Sequence, residues 1–167
     1  NNYDCIIDVA GIYLNEKNQD VAKMIKNIIN KCVVYWDDDN NIKTITPSGS
    51  IIQFNPNFKP EKYFVYFDNA RITGVDIKLK NNANGLIIVN SSSIYRDVAQ
   101  AVFRMRKLYD ATREDYRQAF VYYVTDQIYN TVNDLVTQFI TNQDTLEDIK
   151  KNIGMELEHK SNSRLNE

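Results

Sequence analysis

Two almost uninterrupted apolar runs, Tyr63 to Asp68 (YFVYFD) and Gly85 to Asn90 (GLIIVN), constrain the fold most strongly. A strand with one wet face alternates apolar and polar residues, whereas a strand covered on both faces of a parallel sheet reads as a continuous apolar stretch. Two further runs, Cys5 to Val9 (CIIDV) and Lys31 to Trp36 (KCVVYW), read as strands of the same kind. Between these two, Asn18 to Ile29 places Val21, Met24, Ile25, Ile28 and Ile29 at spacings that share one helical face. After the last run, Ser91-Ser92-Ser93 offers several helix caps. Val98, Ala101, Val102, Met105 and Leu108 then recur at helical spacing from Ile94 to Leu108. Strands alternating with helices predict an α/β fold with a parallel sheet and right-handed crossovers.

The remaining segments modify that plan. Asp37 to Asn41 (DDDNN) has turn composition, and its carboxylates read as solvated rather than as a metal site. Ile42 to Thr46 and Ser50 to Phe54 read as two short strands around Pro47-Ser48-Gly49, a small β-hairpin insertion. Beyond Asp110, Thr112 is placed to cap a helix beginning near Arg113. Phe120, Tyr123, Val124, Ile128, Val132, Leu135, Val136 and Phe139 trace an apolar stripe that predicts one long helix to Thr141. Thr145 with Asp148 resembles a capping-box start for a short final helix, which Gly154 would stop. The polar stretch after it is expected to fray. The expected organisation is a lobe over 1–110, a helical extension over 111–154 packed on or beside it, and a flexible tail over 155–167.

The totals exclude several function classes. The 167 residues suit one domain, and a chain of this size buries roughly two-thirds of the surface its unfolded form exposes. The net charge of −2 gives no support for strong non-specific binding to DNA or RNA, although a local basic patch is compatible with it. Cys5 and Cys32 each lie in an apolar stretch and are expected to be buried, free thiols. With one histidine, His159, and no Cys-x-x-Cys pair, neither a zinc site nor a histidine-based triad is expected. No apolar run approaches the ~20 residues of a membrane span. No signal peptide is visible, so a cytoplasmic or otherwise intracellular protein is expected. The chain opens directly into a strand without an initiator Met, and we expect it to be part of something longer.

Two constellations could carry chemistry. The first is Thr73-Gly74-Val75-Asp76-Ile77-Lys78, which follows the strand ending at Asp68. Gly74 lets backbone approach a ligand or take a positive φ, and Asp76 can accept hydrogen bonds from a ribose, a water or an Arg. The bland alternative is a tight turn capped by Asp76. The second is Gln100 to Lys107 (QAVFRMRK), in which Gln100 and Arg104, four apart, share a face of the expected helix. Guanidinium groups bind phosphate oxygens bidentately and stabilise charge on a transferred phosphoryl group. Here the alternative is a solvated basic face complementing the helix C-terminus.

Taken together and in this order, the two resemble motifs V and VI of the second RecA-like lobe of superfamily 2 helicases. Gly74-Val75-Asp76 resembles the Gly-Asp turn of motif V, and Gln100, Arg104 and Arg106 resemble the Gln-x-x-x-Arg-x-Arg spelling of motif VI. A closer resemblance is to a helicase-like family found in giant ubiquitinyl-hydrolase-like proteins of fungi, protists and bacteria. It is carried by Ile7-Asp8 with Asn18 to Ala22, by Tyr66-Phe67-Asp68 with Thr73 to Lys78, and by Tyr95 to Gln100 with Phe103 to Arg106. It covers roughly residues 4 to 108. A histidine of the family's second segment falls on Arg71, and its Gly-rich first segment is only loosely kept as Ala10 to Leu14.

The resemblance implies a RecA-like parallel sheet with flanking helices and half of an ATP site. Arg104 and Arg106 would be arginine fingers toward the γ-phosphate, Gln100 would orient them or touch the nucleotide, and Gly74 and Asp76 would form the lobe-coupling turn. A phosphate loop needs a pattern such as Gly-x-x-x-x-Gly-Lys-Ser/Thr, and none occurs here. ATP with Mg²⁺ would therefore be bound mainly by an absent first lobe of the same parent protein. The chain alone is expected to be inactive but part of a helicase-like ATP hydrolase acting on a protein or nucleic-acid substrate, with no membrane partner. The alternatives are a degenerate, non-catalytic RecA-like interaction module of a large ubiquitin-related protein, and an unrelated flavodoxin-like domain that binds a small molecule.

Overall fold

The computed structural model describes residues 3–72, 76–108 and 117–164. Strands β1 (Cys5–Asp8), β2 (Cys32–Trp36), β3 (Ile42–Ile45), β4 (Ile51–Gln53), β5 (Tyr63–Phe67), β6 (Asn84–Val89) and β7 (Ala119–Val124) form one mixed sheet in the order β4-β3-β2-β5-β1-β6-β7. The five strands from β2 to β7 in that order run parallel, and the β3–β4 hairpin extends one edge antiparallel. The expected α/β class, its hairpin insertion and its C-terminal helix are therefore present. Helices α1 (Asn18–Ile28), α2 (Tyr95–Val102) and α3 (Val132–Arg164) complete the fold. None of the described helices is long and apolar enough to cross a membrane.

The central strands are where the sequence puts its apolar runs. β5 is buried along its whole length because side chains leave both faces into covered layers. Val65 and Phe67 point into one layer with Cys5, Ile7, Ile87 and Val89, under the β5-to-β6 crossover, α2 and the start of α3. Phe64 and Tyr66 point into the other, where Val21, Ala22 and Ile25 of α1 meet Val33 and Tyr35. The α1 stripe is narrower than its sequence suggests, since Met24 and Ile28 are exposed. Cys5 is buried and Cys32 half-buried, and both are free thiols.

Three expectations fail in the C-terminal third. Residues 119–124 form a strand paired parallel to β6, so the sheet continues past 110 and the helix predicted from Arg113 to Thr141 does not exist as one element. Thr112 and Arg113 lie outside the described residues. The true start of the last helix is a reciprocal cap at Thr131 and Asp134. The Thr131 Oγ1 accepts from the Asp134 N–H, and the Asp134 carboxylate accepts from the Thr131 N–H, both at 3.1 Å. Thr145 lies inside α3, its hydroxyl donating to the Thr141 carbonyl, and the helix passes through Gly154 to Arg164. A glycine in an exposed helix interior costs only about 1 kcal/mol relative to Ala and need not end it.

The two ends of β1 are tied differently. At its start Asp4, 3% exposed, pairs with Lys31 at 3.1 Å and Lys80 at 3.0 Å and accepts the Asn84 N–H. That cluster fastens the chain entering β1, β2 and β6 together.

Candidate functional site

Helix α2 stops earlier than its apolar spacing suggests. Phe103 still donates to the Ala99 carbonyl, but Arg104 donates to Ala101 and Met105 to Val102, so the chain tightens into successive turns. The turns are held against the sheet by Met105, which is buried on β6, where a Cβ on Gly85 would meet the Met105 sulfur at 3.0 Å. The expected helix to Leu108 is corrected accordingly, and Gln100 and Arg104 do not share a continuous helical face. Gln100 is exposed on α2, and its side chain makes no hydrogen bond among the described residues.

The same turns bring the remaining residues of the second motif to Asp76. Arg106 pairs with the Asp76 carboxylate at 3.2 Å, both side chains being mostly exposed. Arg104 is half-buried, its Nε donating to the Ile72 carbonyl at 2.9 Å and its guanidinium lying 5.8 Å from the centre of the Phe67 ring. Burial, with the neighbouring Arg106 charge, pulls the Arg104 pKa below its ordinary value, and Asp76 opposes this. Between these turns and the crossover lies a cavity of about 470 Å³, lined by Lys78, Lys80, Arg104, Arg106 and Lys107 against Glu61 and Asp76. Lys80 is engaged by Asp4 and Lys107 by Asn81. A mouth with this surplus of positive charge can hold an anionic oxygen group. Gly74 lies outside the described residues.

A second site was not assigned from the sequence. Asp8 ends β1 and Asp68 directly follows β5, so the pairing of these strands sets two acidic side chains at one edge of the sheet. The chain leaves β1 toward α1 on one face and leaves β5 across the other, which opens a crevice of the kind α/β sheets use for ligands. Gly11, at φ +66°, turns the loop so that the Ile12 and Tyr13 N–H groups donate to the two Asp8 oxygens at 3.1 and 3.2 Å. Asn69 donates to the Val9 carbonyl at 2.7 Å and clips the two loops together. Asp68 receives the Asn18 amide and pairs with Arg71 at 3.3 Å, while Arg71 also donates to Asn40 of the β2–β3 turn. The cavity measures about 190 Å³. Burial raises the Asp8 pKa, with Asp68 adding to the shift, against three backbone N–H donors. An Asp closing each of two buried runs is visible in the sequence, but only the strand order makes the two neighbours.

The Asp37 to Asn41 segment is a turn, with the Asp37 carboxylate accepting the Asp39 and Asn41 N–H groups. No group of three or more metal-ligating side chains occurs among the described residues. No family model matches the chain, and neither the curated proteins nor the solved structures provide a match. The helicase-like resemblance thus rests on the motif residues themselves.

Proposed function

We propose that this chain is the second, RecA-like lobe of a helicase-like ATPase, presenting Arg104 and Arg106 to the phosphates of a nucleotide held by a first lobe. The observation that carries this reading is the contact between Asp76 and Arg106, which joins two motifs thirty residues apart at one cationic cavity. The donor set suits phosphate oxygens: Arg104 is braced by Ile72 and Phe67, and the Arg106 pair is exposed and so readily exchanged for a phosphate. It does not suit Mg²⁺, for which the first lobe would supply the carboxylate. Gln100 and Gly74 keep the roles the resemblance implies as part of this proposal.

The test is ATP turnover by the full-length protein, with protein and nucleic-acid stimulants, in wild type and in the Arg104→Ala/Arg106→Ala variant. Thermal unfolding of each verifies the fold, since Arg104 also packs on Phe67. A loss of at least about a hundredfold is expected if these are arginine fingers. Equal turnover would remove the assignment.

One observation favours a second reading, a non-catalytic interaction module. With α2 ending at Val102, Gln100 is separated from the arginines that it would orient. Absence of turnover with every stimulant would make this the better account.

A further inference from the structure

We propose that the cavity at the carboxyl ends of β1 and β5 binds an organic ammonium group, its head donating to the Asp8 carboxylate and the Tyr66 hydroxyl. This cavity shares no lining residue with the cationic one, so the proposal stands apart from the ATPase reading. Tyr66 is 1% exposed and lines the cavity, yet its hydroxyl has no hydrogen-bond partner among the described residues. The ring is enclosed and its hydroxyl opens onto the cavity, so this oxygen marks a place where a polar group of a ligand belongs.

The lining selects the ligand's class. Asp8, Asp68, Glu16 and Asp38 face the space and Arg71 alone opposes them, so an anion is repelled and a cation concentrated. Each carboxylate oxygen has two acceptor positions; on Asp68 they are taken by Asn18 and Arg71, whereas hydrogen bonds from the Ile12 and Tyr13 N–H groups take one on each Asp8 oxygen. What is left unmet is acceptor capacity, and an ammonium is a pure donor with three N–H groups. A hard metal ion fits less well, because the carboxylates lining the cavity do not come together as a ligating group of three among the described residues. Burial, with Asp8 and Asp68 nearby, also pushes the Tyr66 phenol upward and keeps it neutral. The rings of Tyr13 and Tyr66 meet edge to face at 6.4 Å, and with Leu14 they offer an apolar wall to an alkyl stem. The volume suits a short chain, as in a small amine or a single lysine side chain.

The experiment titrates the 167-residue chain with n-butylammonium chloride, followed by amide chemical shifts, with n-butanol and MgCl₂ in parallel. Saturable shifts in the loops at 9–13 and 68–71 are expected with the ammonium alone. Tyr66→Phe removes an oxygen that makes no hydrogen bond among the described residues, so it should fold normally and weaken binding about fivefold, the effect of one hydrogen bond. Asp8→Asn should weaken it about tenfold or more. Tighter binding of Nα-acetyl-lysine N-methylamide would identify a lysine side chain as the source, and tighter binding of n-butylammonium a free amine. The proposal is overturned by absence of saturation at tens of millimolar, by n-butanol binding equally well, by undiminished binding in Tyr66→Phe, or by MgCl₂ occupying the same loops more tightly.

Discussion

Asp4 and Asp8 bracket β1, and burial acts against the charge of both, yet their carboxyls titrate in opposite directions. At Asp4 the desolvation is outweighed by the Asn84 N–H and by Lys80 and Lys31, and the pKa falls. At Asp8 three backbone dipoles do not offset burial and the Asp68 charge, and the pKa rises. Neutral dipoles stabilise a buried carboxylate less than a full positive charge does. A depressed folded-state pKa means that Asp4 contributes stability in full above the unfolded carboxylate pKa. That contribution disappears as pH falls through the folded value. Asp4→Asn is therefore expected to lower stability by about 2 kcal/mol at neutral pH, by leaving two lysines without their carboxylate. The deficit should shrink in strong acid, where wild type has lost the same charge. Urea unfolding of both proteins at neutral pH and near pH 2 checks this; an undiminished deficit in acid would assign Asp4 a packing role instead.

At the scale of elements, what could be read from the sequence was decided by how many faces each segment buries. β5 and β6 are covered on both faces and announce themselves as apolar runs. β7 is an edge strand with one face covered, and its residues AFVYYV fit a helical stripe as readily as an alternation. Their aromatic and β-branched character was the better guide. The end of α2 was equally hidden, because Met105 is buried with or without a helix around it. Of the candidate site, the joining of Asp76 and Arg106 was legible as two motifs in order. The Asp8–Asp68 cavity was not, since only the strand order makes residues sixty apart into neighbours. The period of β7 can be measured directly. Tyr122 packs against Phe139 and Phe120, whereas Tyr123 is 57% exposed. Tyr122→Ala should cost about 3–5 kcal/mol and Tyr123→Ala under about 1 kcal/mol. A helix through this segment, with Tyr123 and Val124 inward, would reverse the order in a thermal or urea unfolding series.

For the whole molecule, the strand order makes the carboxyl edge of the sheet its acidic end, and its pH behaviour follows. The raised Asp8 pKa gives a contribution that is fully present below the unfolded carboxylate value and is lost as pH rises through the folded one. Asp4 acts in the opposite sense at lower pH, so stability should climb out of strong acid and then decline as Asp8 ionises. The charged groups facing the cavity with Asp8 are Asp68 and its partner Arg71, Glu16 and Asp38, while burial pushes the Tyr66 phenol up and keeps it neutral. Asp8→Asn removes the ionising group and should abolish the decline above the unfolded carboxylate value of about pH 4, while leaving the acid limb governed by Asp4. Saturating n-butylammonium should flatten the same decline in wild type, because a cation held at the carboxylate favours its charged form, and should do nothing to the slope of Asp8→Asn. Urea midpoints across this range read both effects. A decline that persists unchanged in Asp8→Asn would place the titration elsewhere. A decline abolished by the substitution but untouched by the amine would keep Asp8 as the titrating group and remove the ammonium from the cavity.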